Sequence, residues 1–184
     1  MEEKLAFLDE HYLSHFDYLD VDSVIQEQKA FGACRDVTLE YPVAENEGEE
    51  DNTYLSYNMV VGNAADSQMA IAFEVLDYAL LSAPGAPLKQ ALLDVKAGKD
   101  VYGSYDDGIL QPYFTVIAKG SNPDRKEEFV SVIRQVLGDI VKNGIDKKAV
   151  EAGINYFEFR YREADFSSYP EADVQSGYSG RLAV

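Results

Sequence analysis

The chain has 184 residues, 46% hydrophobic and 27% charged, which is enough for one globular domain with a substantial core. Thirty-three acidic against sixteen basic side chains give a net charge of −17, which repels phosphate backbones and argues against nucleic-acid binding. The single cysteine, Cys34, excludes an internal disulfide and a thiolate metal cluster, and is expected to be a buried, inert thiol.

The N-terminus, Met1-Glu2-Glu3-Lys4, lacks the basic start and unbroken apolar stretch of a secretory signal. No apolar run approaches the ~20 residues that span a bilayer. A cytoplasmic location is the resulting expectation. No fixed-period repeat and no Pro- or Gly-rich linker divides the chain.

Residues 2–13 predict a short amphipathic helix, with Leu5, Leu8 and Tyr12 at three- and four-residue spacing. Ser23 to Phe31 also has helical character. Residues 36–43 read as extended, with Val37, Leu39, Tyr41 and Val43 on one face. The run Glu45 to Asn52 is acidic, lacks large apolar residues and reads as a solvated hairpin loop. Residues 53–62 are rich in aromatic and β-branched side chains and predict a strand closed by Gly62.

The period then changes. Met69, Phe73, Leu76 and Leu80 mark a helix capped by Asp66 or Ser67 and ended by Ser82-Ala83-Pro84-Gly85. A second helix begins near Pro87, buries Leu88, Leu92 and Val95, and stops at Gly98. Val101 to Asp106 and Pro112 to Lys119 predict a strand pair joined through Asp107-Gly108, with Pro112 at an edge or at the start of its strand. Pro123 opens a third helix with a stripe of Phe129, Ile133, Val136 and Ile140, reinforced by Val130, Leu137 and Val141, and Gly144 stops it. Asp146 caps a last helix with Val150, Ile154, Phe157 and Tyr161 inward, ending near Ala164.

Strands arriving in adjacent pairs predict an α+β fold: a mainly antiparallel sheet with helices packed on one face. The expected organisation is a connecting helical segment over 1–35, the α+β domain over 36–168, and a poorly ordered tail over 169–184.

Four segments carry a family resemblance. They are Tyr54-Leu55-Ser56-Tyr57-Asn58-Met59-Val60-Val61-Gly62; Leu76-Asp77-Tyr78-Ala79-Leu80-Leu81 leading to Ala86-Pro87-Leu88; Gln111-Pro112-Tyr113-Phe114; and Glu158-Phe159-Arg160-Tyr161-Arg162-Glu163-Ala164. In this order they resemble the presequence-protease branch of the insulinase-like (pitrilysin) zinc metallopeptidases. Phe7-Leu8-Asp9-Glu10 and Tyr12-Leu13-Ser14 resemble that family's helix between its first and second domains. The similarity covers roughly residues 5–170 and stops after Pro170.

The resemblance implies the second, non-catalytic domain of the family's N-terminal half, with the same α+β layering. It implies a parent that hydrolyses unstructured peptides in a chamber, with zinc in a separate catalytic domain. That domain carries His-x-x-Glu-His: two His on one helical face bind Zn²⁺, and the Glu activates the bound water. The two histidines here read His11-Tyr12-Leu13-Ser14-His15, so Ser14 stands where the base would be. No residue is therefore assigned a catalytic, cofactor-binding or metal role. Expected partners are the catalytic domain or a companion subunit and the peptide substrate, with no nucleic acid and no membrane. Self-association through exposed interdomain surface is expected as well. The alternative is a stand-alone non-catalytic binding or assembly subunit.

Other constellations are weaker. His11 and His15 with Asp9 could hold a metal if one helix carried both. The acidic loop 45–51 lacks EF-hand spacing. Arg160, Arg162 and Tyr169 suggest an anion site, against ordinary helix-end salt bridges. Tyr54, Tyr57, Tyr113 and Phe114 could line a peptide-binding wall, against ordinary sheet packing.

Overall fold

The computed structural model of the chain defines residues 2–46 and 48–163. The elements in order are α1 (Glu2–His11), a 3₁₀ turn (Leu13–His15), β1 (Thr53–Val60), α2 (Ser67–Asp77) running into a π-turn (Tyr78–Ser82), and α3 (Pro87–Asp94). β2 (Asp100–Asp106), β3 (Tyr113–Ser121), a 3₁₀ turn (Pro123–Arg125), α4 (Lys126–Asn143) and α5 (Lys147–Arg162) follow. The α+β fold of the sequence reading is present, with the helices on one face of an antiparallel sheet.

The sheet order is β1-β3-β2, with both pairings antiparallel. Alternation sets the two faces. Leu55, Val101, Phe114, Val116 and Ala118 point inward and are buried against Leu80, Leu81, Leu88, Leu92, Phe129 and Ile133 of the helical layer. Pro112 is buried and immediately precedes the central strand, so the edge option is excluded. Its carbonyl still accepts from the Val61 amide at 2.8 Å, because proline loses only its donor.

Asp66 caps α2, its carboxylate accepting from the Met69 amide at 3.0 Å. Asp146 does the same for α5 through the Lys148 amide at 2.9 Å. Gly144, at φ +84°, ends α4. α3 stops before the predicted Gly98. Lys96 takes the left-handed conformation, φ +55°, and the Ala97 and Lys96 amides donate back to the Leu92 and Leu93 carbonyls, both at 2.9 Å. Gly98 serves another purpose, because a Cβ there would sit 2.7 Å from the Lys119 carbonyl oxygen.

Several expectations are corrected. Ser23 to Phe31 forms no helix, and residues 36–43 form no strand. Every described residue from 2 to 50 is exposed, so propensity there has no core to reinforce it. For the same reason Cys34 is exposed rather than buried. On α4, Val141 is 86% exposed and lies outside the stripe. On α5, Ile154 faces solvent, and buried Gly153 takes the contact instead, letting the helix approach Val75 of α2 and Tyr78 of the π-turn. α5, predicted to end near Ala164, ends at Arg162; the tail 169–184 lies outside the described residues.

Taken as one stretch, Ser67–Asp94 has the length and composition of a membrane-crossing helix, contrary to the sequence expectation. The Ser82–Ala86 turn interrupts it, and Leu80, Leu81, Leu88 and Leu92 are buried in the core between helices and sheet.

Candidate functional site

The helices leave one face of the sheet uncovered among the described residues. Alternation places Tyr54, Ser56, Asn58 and Val60 of β1 on that face, beside Thr115, Ile117 and Lys119 of β3 and Tyr102, Ser104 and Asp106 of β2. Tyr54 is 48% exposed, Val60 66% and Tyr102 39%. These values are high for large side chains on a sheet and mark a surface able to contact another protein or a peptide.

Cross-strand pairs hold this face in place. Thr115 is almost fully buried and donates to Asn58 Oδ1 at 2.8 Å, while Ser56 donates to the same oxygen at 3.0 Å. Tyr54 pairs with Lys119, whose ammonium lies 5.8 Å from the ring centre, and packs edge-on against Tyr41 at 5.9 Å. At the other end, Tyr113 donates to Asp106 Oδ2 at 3.0 Å, and Asp106 Oδ1 accepts from the Gly108 amide at 3.0 Å. The hydrogen bond to Asp106 and its negative charge push the Tyr113 phenol above its ordinary pKa. The proposed aromatic set therefore divides: Tyr54 and Tyr113 lie outward, whereas Tyr57 and Phe114 belong to the core side.

The histidines do not form a pair. α1 ends at His11, whose ring packs tilted by 59° against Phe7 at 4.2 Å, and His15 lies in the separate 3₁₀ turn. Ser14 donates to the Glu10 carbonyl at 3.1 Å. No three His, Cys, Asp or Glu side chains converge among the described residues. A catalytic zinc site needs three such donors and a carboxylate base, so these residues do not fit one. In the acidic loop, Asp51 accepts from the Asn122 side chain at 2.8 Å and is tied to Lys99 at 3.2 Å, and these contacts, Asn122 first, hold its carboxyl below the ordinary range. Arg162 pairs with Glu158 at 2.6 Å along α5; Tyr169 lies outside the described residues.

Asp77 was not singled out for chemistry in the sequence. It ends α2 where the backbone loosens into the π-turn. Its Oδ1 is buried with no hydrogen-bond partner among the described residues, and Oδ2 accepts only a long bond, 3.4 Å, from Ser82. Burial raises its carboxyl pKa, and the Ser82 contact offsets this in part. Gly103 of β2 lies directly beneath: a Cβ there would fall on Asp77 Oδ1 and Leu81 Cδ1.

The two layers, an antiparallel sheet with its helices on one face, define the class as an α+β domain. The profile of the Peptidase M16 inactive domain matches residues 3–157, and the chain belongs to that family. It is 43% identical over 169 residues to Protein HypA of Clostridium perfringens, covering 92% of this chain and 17% of that protein. Presequence protease 1, chloroplastic/mitochondrial, of Arabidopsis thaliana is 29% identical over 164 residues, 84% of this chain and 15% of that one. The mitochondrial presequence protease of Xenopus laevis is 23% identical over 172 residues, 91% of this chain and 17% of that one. The chain thus spans about a sixth of the length of these relatives. The fold is similar, at TM-score 0.55 and 14% identity, to the crystal structure of the inactive peptidase domain of a zinc protease from Bordetella parapertussis, covering 71% and 69% of the two chains.

Proposed function

We propose that this domain is the non-catalytic companion of an M16 zinc-peptidase catalytic domain, and that its uncovered sheet face forms part of the wall against which unstructured peptides are held. The observation that carries this is the division of the sheet: every core-forming helix packs on one side, and the other presents Tyr54, Tyr102, Val60 and the polar Ser56-Asn58 pair, held by buried Thr115. Tyrosines beside neutral hydrogen-bonding groups suit contact with many peptide sequences, because they offer area and polar tips without a fixed charge requirement. Zinc and the hydrolytic step belong, in this reading, to the catalytic domain. The segmentation at 1–35, 36–168 and 169–184 and a cytoplasmic setting are parts of the same proposal.

The test combines this chain with an M16 catalytic domain and follows cleavage of an unstructured peptide. The pair is expected to cleave in a chelator-sensitive manner and this chain alone to be inert. Replacing Tyr54 and Tyr102 by Ala should raise KM several-fold with kcat little changed. Stoichiometric zinc and chelator-sensitive cleavage by the isolated chain would overturn the reading. The alternative, a stand-alone assembly subunit, predicts tight binding to a catalytic partner with no effect of the tyrosine substitutions on KM.

A further inference from the structure

The stretch Phe16-Asp17-Tyr18-Leu19-Asp20-Val21-Asp22-Ser23-Val24-Ile25 interleaves large apolar side chains with carboxylates and contains no basic residue. It forms neither helix nor strand after Phe16, and all of it is exposed. Phe16 is 77% exposed, Tyr18 91%, Leu19 77%, Val21 62%, Val24 71% and Ile25 74%. Six large apolar side chains in ten residues is far more than scattered surface exposure, and marks a contact surface.

The stretch is presented from fixed points. On its N-terminal side stands the 3₁₀ turn 13–15, closed by the Phe16 amide donating to Leu13 at 3.1 Å. On its C-terminal side Gln28 and Gln111 exchange two hydrogen bonds, at 2.6 and 3.1 Å, and Asn63 donates to Glu27 at 2.8 Å. Inside it, Asp22 accepts from the Val24 amide at 3.0 Å. None of these bonds uses the apolar side chains.

We propose that residues 16–25 are a docking strap for a companion M16 domain, seated in an apolar groove of that domain rimmed by Lys or Arg. The charge pattern selects this occupant. Residues 1–52 carry fifteen acidic and three basic side chains, so an anionic membrane or a nucleic acid is repelled. A second copy of a chain with net charge −17 is repelled as well. A cationic rim would draw in Asp17, Asp20 and Asp22 and let the apolar side chains leave water between them. The relatives are about six times longer than this chain, so they contain ample protein to supply such a groove. The proposal rests on the companion-domain reading and names the contact that would carry it.

The experiment measures binding of this full chain to an M16 zinc-peptidase catalytic domain by titration calorimetry at low and high salt. Two variants are compared, one with Asp17→Asn, Asp20→Asn and Asp22→Asn, the other with Tyr18→Ser and Leu19→Ser. These side chains touch no core, and circular dichroism should show both variants folded. Wild type is expected to bind with an affinity that falls at least tenfold between 0.05 and 0.5 M salt, on the order expected for several screened charges. The acidic triple variant should lose most of that salt dependence, and the apolar variant should bind at least tenfold more weakly. Absence of any complex would remove the companion reading and the strap together. A complex whose affinity neither variant changes would overturn the strap and leave the companion reading standing. Binding of the wild type to phosphatidylserine vesicles at pH 7, or a dimer at pH 7 that is lost in the apolar variant, would also overturn it.

Discussion

A carboxylate oxygen shut away from water without a donor, as in Asp77, weakens the fold whenever it is ionised. Its pKa is raised on folding, chiefly by burial. The unfolded chain therefore gives up this proton more readily than the folded one. Stability is full below the unfolded carboxyl range and declines as pH rises through the raised folded value. Asp77→Asn should remove that slope, giving a higher denaturation midpoint than wild type at pH 7 and a smaller difference at pH 4, as read by urea titration at both. Two backbone positions respond in opposite ways. Lys96 holds φ +55° without being glycine, so Lys96→Gly should stabilise by about 0.5–1 kcal/mol in the same titration. Gly103→Ala should destabilise by about 1–3 kcal/mol, because its Cβ meets Leu81, Asp77 and, at 3.1 Å, the Thr115 carbonyl.

Helices α4 and α5 show what a periodic stripe can and cannot reveal. Phe129 and Ile133 are buried as their spacing implies, whereas Val141, on the same helix, lies beyond the sheet and is 86% exposed. Ile133→Ala should cost about 2–5 kcal/mol and Val141→Ser nearly nothing, a contrast that chemical denaturation resolves easily. In α5 the stripe through Ile154 misleads because Gly153, which contributes no apolar side chain to a pattern, makes the closest approach to Val75 and Tyr78. β1, β2, β3 and the caps Asp66 and Asp146 were legible, because period, β-branched content and cap chemistry act locally. Val37, Leu39, Tyr41 and Val43 carry as regular an alternation as any strand here, yet join no strand ladder among the described residues. Alternation states only which face a strand would present; a partner edge must exist to take it. The candidate face was half legible. Tyr54 and Tyr113 were identified, but their separation from Tyr57 and Phe114 follows from strand register. The strap 16–25 is not legible in the sequence, because its significance lies in exposure, which composition does not report.

Across the whole molecule, acidity and exposed apolar surface oppose each other. At neutral pH, like charge keeps copies apart; near the sequence pI of about 4.3 that repulsion vanishes. Light scattering should therefore show self-association appearing as pH approaches 4.3 and reversing on return to pH 7, and a monomer throughout would count against like charge as what keeps the copies apart. The strand order has a further consequence, for synthesis on the ribosome. β1 and β2 never touch each other; both pair only with β3, the last strand made, and the register joins Thr53 to Ser121 across the length of the domain. Closing so long a loop costs entropy before any ladder forms. Until Ser121 has left the exit tunnel there is no sheet for α2 and α3 to cover, so nascent chains halted short of it should remain open to protease while longer ones become protected abruptly.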